Sequence, residues 1–413
     1  MGWSREVTLT YPENEEQISV KRPVLDWEDA GGATGYQVQI SNTDSFDNVT
    51  PIDIEEAVSE YHIPDALTIR DTRYWRVRAI NNGVPSDVWS ETRSFEIIVS
   101  SAPQAVGVFD TKSYDSNSAP FNVSLLDTAA FVGLGGPGLI SIDFTDPSTP
   151  VLLDSFKPSA NGIYHTDLSG SFLYCIDSDA DPRLRIIDVS DPSDLTEVGS
   201  SDSGIAGTGM LTTLGTTTIS VEGSSLNFYD TENPSSISLS DTEDLLSEGW
   251  IPEIFNLCCH VIAEGAGLKI YSTYNPGLLG EYPLENVRHY FSGVSGVGNY
   301  VYAIHGHPDS SSEGIVILDC TDAGSPTLVK TFSDPDYLFL GALEVSRSYL
   351  FAGVLSSGKE RIAVLDISNP ASPVIAGFAE FEGGGWFEIS GNYIVCPDYS
   401  SGKIYFIDLL PEE

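Results

Sequence analysis

Six histidines and a few aromatic residues hold most of the chemistry this sequence can offer. His305-Gly306-His307-Pro308-Asp309 sets two imidazoles two positions apart. His165 follows Tyr164, and His289 follows Arg288. Neutral imidazoles ligate transition metals and titrate near neutrality, while Trp and Tyr faces stack on sugars. With Trp250 and Trp386 nearby, the candidate ligand set is Tyr164, His165, His289, His305, His307 and Trp386. It is weighed against a plainer reading of separate loop residues pointing in different directions. A second candidate is Asp177-Ser178-Asp179-Ala180-Asp181, with Asp188 eleven residues after Asp177. That spacing resembles an oxygen-rich calcium loop, which makes calcium the one cofactor expectation, with Asp177, Asp179 and Asp181 as its ligands. Pro182 stands where such a loop needs Gly, so a solvated acidic hairpin loop is the competing reading.

Other chemistries lack their signatures. No nucleophile elbow, phosphate loop, HExxH or dinucleotide fingerprint occurs. The five cysteines, Cys175, Cys258, Cys259, Cys320 and Cys396, show no CxxC or Cys/His zinc spacing. They stand in apolar runs such as Leu173-Tyr174-Cys175-Ile176, as small buried hydrophobes do.

These residues can meet only if the elements carrying them converge, and a repeat supplies the means. An apolar strand ending in Asp, or once in Ser, recurs at Asp143, Asp188, Asp230, Ser272, Asp319, Asp366 and Asp408. The intervals are 45, 42, 42, 47, 47 and 42 residues. Most copies continue into a Pro turn, as in Asp143-Phe-Thr-Asp-Pro147 and Asp366-Ile-Ser-Asn-Pro370. Two alternating strands precede each Asp-ended strand and a short one follows. Four strands per unit at that period predict propeller blades, with the repeated Asp and Asx-Pro residues serving turn chemistry. The strand around Leu257-Cys-Cys-His260 reads as abbreviated.

The last unit stops at its third strand, Ile404 to Asp408. Ala105-Val-Gly-Val-Phe109 resembles the fourth strands Val151–Phe156 and Val374–Phe378 and is its expected donor. The prediction is a seven-bladed propeller over residues 103–413, closed by residues 105–109 with no free edge. In that arrangement inner-strand starts and second-to-third-strand loops share one mouth of the channel. The histidines and aromatics would gather there.

This repeat closely resembles the LVIVD-repeat family of bacterial and archaeal surface proteins. Gly298-Asn-Tyr-Val-Tyr-Ala303 and Gly391-Asn-Tyr-Ile-Val395 match the first half of its consensus. Ile362–Pro373 and Leu184–Pro192 match the second. The resemblance implies a propeller in a secreted, often lipid-anchored or multidomain surface protein, and it carries over no shared activity.

Residues 1–100 read differently, as short alternating segments between turns: an antiparallel sandwich. They resemble a fibronectin type III domain in Pro23-Val-Leu-Asp-Trp27, Gly35-Tyr-Gln-Val-Gln-Ile-Ser41, Leu67, Tyr74-Trp-Arg-Val-Arg-Ala-Ile-Asn81 and Trp89-Ser90. The resemblance implies that Trp27, Trp75, Val77 and Ala79 face inward. It also puts Arg73, rather than Tyr, at the family's tyrosine-corner place, with Tyr74 one residue late. Val99-Ser-Ser-Ala-Pro103 reads as the linker.

Composition narrows the function class. Sixty acidic residues against nineteen basic give a net charge of −41, and only seven of the basic residues are Lys. Such a surface repels phosphate backbones and anionic headgroups, so nucleic acid is not an expected partner. No apolar run is long enough to span a membrane. Met1-Gly-Trp-Ser4 is not a signal peptide. The expectation is a monomeric extracellular or cell-surface protein, lipid-anchored or free, whose leader is absent from this sequence. Its function is binding or scaffolding without enzymatic activity, towards a protein or a neutral glycan. A metal-assisted hydrolase, lactonase or lyase at the channel mouth is the alternative.

Overall fold

A computed structural model describes residues 5–54, 58–158, 162–177, 183–201, 210–263, 265–284, 293–305, 314–380 and 386–411, with backbone alone at 250, 251 and 380. The described residues are all-β apart from a 3-10 turn at Thr111–Ser113. Two compact units emerge, Met1–Ser100 with Leu410–Glu413, and Ser101–Leu409.

The first unit has two sheets. Leu9–Tyr11, Val24–Trp27 and Glu60–His62 form one. The other runs Glu16–Ile18, Arg93–Ile97, Thr72–Asn81, Gly35–Ser41, Ile52–Ile54. Strand alternation decides its core, because every second residue points inward. Trp27, Trp75, Val77 and Ala79 are all buried, the inward facing that the fibronectin type III resemblance implies. Trp27 meets Tyr36 edge-on at 5.3 Å, and the Tyr36 hydroxyl accepts from the Ala30 backbone N–H at 2.9 Å. Arg73 makes a 3.4 Å ion pair with Asp71. The guanidiniums of Arg76 and Arg78 lie 4.8 and 4.5 Å from the Trp89 ring centre, a cation–π arrangement that composition could not reveal.

The second unit repeats one design. Five separate sheets each pair four consecutive strands in chain order, the first being Asn122–Leu126, Ala129–Gly133, Leu139–Asp143 and Val151–Phe156. A sixth set, Leu338–Ser346 to Val374–Glu380, is ordered the same way. The seventh pairs Glu388–Ser390, Tyr393–Asp398 and Lys403–Asp408 with Gln104–Asp110, which comes from the far end of the unit. One parallel pair, Gln104 with Glu380, joins these last two sets.

Three details make Gln104–Asp110 a true fourth strand. It is antiparallel to Lys403–Asp408, with Val108 opposite Tyr405 and Phe109 opposite Ile404. A register shift at Ala105/Gly107 reproduces the irregularity between third and fourth strands of the other sets, for instance at Ser141/Ile142 and Ile186/Ile187. Finally, a Cβ on Gly107 would overlap the carbonyl oxygen of Pro147, as one on Gly199 would overlap that of Pro234. In both places a fourth strand lies against the Pro turn of another set, which leaves room for glycine alone.

Apolar residues from the second and third strands fill the space between neighbouring sets. One such cluster joins the first set to the last: Val132, Ile140, Ile142 and Phe144 pack with Val395, Ile404 and Phe406. The repeated Asp residues do turn chemistry, as expected. Asp143, Asp188, Asp230, Asp319 and Asp366 each accept from the backbone N–H two residues on, at 2.8–2.9 Å. Ser272 substitutes through its hydroxyl, accepting from Tyr274 and Asn275.

One sequence expectation is corrected. The strand around His260 is not abbreviated: Cys258–Ala263 has six residues, like Tyr300–His305. Asn256 and Leu257, both at positive φ, make its tight hairpin and only hide the repeat's usual Gly-Asn spelling. Cys175, Cys259 and Cys396 are buried, whereas Cys258 and Cys320 are half-buried, and all five are unpaired thiols.

Candidate functional site: the central cavity

The first strand of each set is the innermost, and it adjoins the first strand of the next. These inner strands are not paired to one another in a sheet, so side chains must bridge them. Asn122 Oδ1 accepts from Thr166 N at 2.9 Å, and His165 Nδ1 accepts from Leu211 N at 3.5 Å. Two residues further along, Asp167 accepts from Thr213 N at 2.5 Å, Ser295 Oγ from Val345 N at 3.1 Å, and Glu388 from the Leu125 backbone. Each bond reaches from one inner strand to the next, and the last reaches from the seventh set to the first.

The second group of bridging residues belongs to one level of the channel. Counting two residues back from each inner hairpin gives Ser124, Asp167, Thr212, Glu253, Ser295, Glu344 and Glu388. All seven are polar. Six of them line, together with His165, Trp386, Phe387 and others, a cavity of about 150 Å³.

Four of these residues are acids, and protein surrounds them while each keeps a partial opening to the lumen. Burial penalises their ionised forms, and the other acids add repulsion. Asp167 is pushed up to about 6 and Glu344 to about 8, in both cases mainly by burial. Glu253 and Glu388 stand well above the usual carboxylate range for the same reasons. Glu388 Oε2 is buried, with no hydrogen-bond partner among the described residues. Among the described residues no cation pairs with any of the four.

The sequence candidates fare unevenly. His165 and Trp386 come together on this cavity. Burial lowers His165 to about 4, so its ring is neutral and serves as an acceptor. Tyr164 does not line the cavity; it meets Phe121 edge-on at 4.7 Å. His305 ends the strand Tyr300–His305, off the cavity wall. His289 and His307 lie outside the described residues, as do Asp179 and Asp181. Asp177 is buried and committed to Arg185 at 2.5 Å, an ion pair that occupies an oxygen the calcium reading would require. His260 is a core residue stacked on Phe255 at 3.8 Å. Among the described residues no three His, Cys, Asp or Glu side chains are placed to hold one metal ion. No helix among them is long and apolar enough to cross a membrane.

The four acids escaped the sequence reading, although a signal was present. Stacking the repeats on their inner hairpins puts all seven polar residues in one column, most of them between apolar neighbours.

Comparison with known proteins places this architecture. The LVIVD repeat signature matches residues 166–203 and 345–379. The WD40 domain of Neurospora crassa Pan2 superposes with a TM-score of 0.57 at 9% identity, over 76% of this chain and 97% of that one. The WD40 β-propeller domain of Doa1 gives 0.56 at 7% identity, over 74% and 97%. Kuenenia stuttgartiensis hydrazine synthase gives 0.54 at 12%, over 70% and 96%. At these identities the likeness concerns the fold alone, and the fold is a repeat β-propeller carrying LVIVD repeats. No curated protein sequence matches the chain.

Proposed function

We propose that this chain is a non-enzymatic binding or scaffolding protein of the cell surface or extracellular space. In this reading residues 103–413 form a closed seven-bladed propeller, and residues 1–100 are a fibronectin type III-like spacer. The observation that carries it is the central cavity, where His165 and Trp386 converge with polar side chains from most of the inner strands. A concave, pre-formed place with a few convergent polar groups is what small ligands use. The −41 charge suits a solvated extracellular setting and argues against anionic ligands. A protein or glycan partner would present one group to this cavity and rest the remainder on the surrounding face. Among the described residues the metal-assisted hydrolase reading gains no observation in its favour.

A glycan array and a fragment screen on the full chain test the proposal. A ligand found there should lose at least about 1 kcal/mol of binding in His165→Ala and in Trp386→Ala, the lower end for truncating an anchor. Undiminished affinity in both variants, or no ligand at all, contradicts it.

A further inference from the structure

We propose that the central cavity binds a small organic cation bearing primary ammonium groups, held among Glu388, Glu344, Glu253 and Asp167 against the Trp386 side chain. The inference deepens the binding reading above and rests on it, since it names the chemistry of the ligand for the same cavity.

Four observations converge. The acids come from four different inner strands at one level of the channel, so their carboxyl groups surround the lumen rather than line one wall. No described Lys, Arg or His forms an ion pair with them, an unusual state for a set of enclosed carboxylates. Among the described residues none donates to Glu388 Oε2, which is enclosed, and an enclosed acceptor left so is costly unless something supplies a donor. Trp386 and Phe387 line the same space, and an aromatic face favours a desolvated ammonium.

Size and geometry select the class. A cavity of about 150 Å³ offers the room of about five waters, which suits an amine of a few heavy atoms. A directly bound calcium ion needs its oxygens within about 2.6 Å of one point. No three described acids or histidines are arranged that way. An ammonium instead carries its own donors and reaches separate carboxylates through N–H···O bonds of about 2.8 Å. Burial already favours protonated acids here, so a bound cation would displace protons and take over their role of neutralising the ring.

Calorimetric titration of the full chain at pH 8 tests this, using 1,4-diaminobutane, n-butylamine, CaCl2 and NaCl of matched ionic strength. The diamine should bind saturably and release protons, seen as a heat that varies with the buffer. Glu344→Gln and Glu388→Gln should each weaken it tenfold or more. Trp386→Ala, which leaves all four acids in place, should weaken it several-fold. Diamine heat no different from NaCl, affinity unchanged in the Gln variants, or saturation by CaCl2 alone would each overturn the proposal. If the diamine fails while a screened ligand still depends on His165 and Trp386, the cation inference falls and the binding reading stands. If both fail, the cavity is not a binding place.

Discussion

Between pH 7 and pH 8 the melting temperature of the full chain should fall by several degrees, and Glu344→Gln with Glu388→Gln should remove most of that fall. The sign follows from proton counts. Glu344, raised to about 8, and Glu253 and Glu388, raised well above the usual carboxylate range by burial, keep protons in the folded chain that the unfolded chain has already released. Where the folded state binds more protons, stability declines as pH rises. It is fullest below the carboxylates' unfolded values and is lost through their folded ones. Asp167, at about 6, is largely ionised before the window opens. His165 and His260, both lowered to about 4 by burial, act with the opposite sign. Their contribution, though, is complete once pH exceeds the unfolded value of about 6.5. Thiols of the buried cysteines are pushed up and add to the loss only at higher pH, which is why the window closes at 8. Each pKa unit is about 1.4 kcal/mol, and lumenal water reduces the effect, so a net loss on the order of 2 kcal/mol is expected. Gln keeps the acceptor that Glu388 offers Leu125 and removes the charge. A melting temperature that rises or stays flat across the window, with Gln variants less stable at pH 8, would show that the ring is ionised and compensated.

Deleting residues 1–112 should cost the propeller far more stability than deleting residues 1–100. The longer deletion removes Gln104–Asp110, and with it the antiparallel partner of Lys403–Asp408. It also removes Thr111, whose hydroxyl donates to the Gly402 carbonyl at 2.8 Å, and Lys112, whose Nζ donates to the Ser401 carbonyl at 2.7 Å. A row of unpaired backbone groups would be left on an open edge, inviting aggregation. Lost burial and lost pairing together amount to several kcal/mol. Gly107→Ala offers a smaller version in the intact chain. Its methyl meets the Pro147 carbonyl and should cost about 1–3 kcal/mol, as overpacking does. Equal melting temperatures for the two truncations, with Gly107→Ala neutral, would mean that the strand is dispensable and the last set is complete without it.

Much of this was legible in the sequence because turns and third strands repeat with little variation. The marked positions from Asp143 to Asp408 end a third strand each, and the side chains of Asp143, Asp188, Asp230, Asp319 and Asp366 make the turn bonds that Asx chemistry predicts. The donor strand was legible for the same reason, since Val-Gly-Val-Phe at 106–109 follows the pattern of other fourth strands. The cavity was harder to see. Its histidines drew attention by residue type, yet His165 acts largely as an acceptor between inner strands and His305 stands off the wall. Glu253, Glu344 and Glu388 looked like ordinary surface acids in a chain with sixty of them. What sets them apart is position in the inner strand, and bulges at Ile163/Thr166, Trp250/Glu253 and Phe339/Leu343 shift that position against simple alternation. Only the hairpin register brings them to one level.

Hydrogen exchange of the full chain, with and without a screened ligand or 1,4-diaminobutane at saturation, tests the central claim most directly. If the cavity is the binding place, protection should rise on amides of the inner strands, above all Asn122–Leu126, Ile163–Ser169, Leu338–Ser346 and Glu388–Ser390, with little change in residues 5–97. Protection confined to residues 5–97, with the inner strands unchanged, would contradict the account and make the propeller a frame for a site elsewhere.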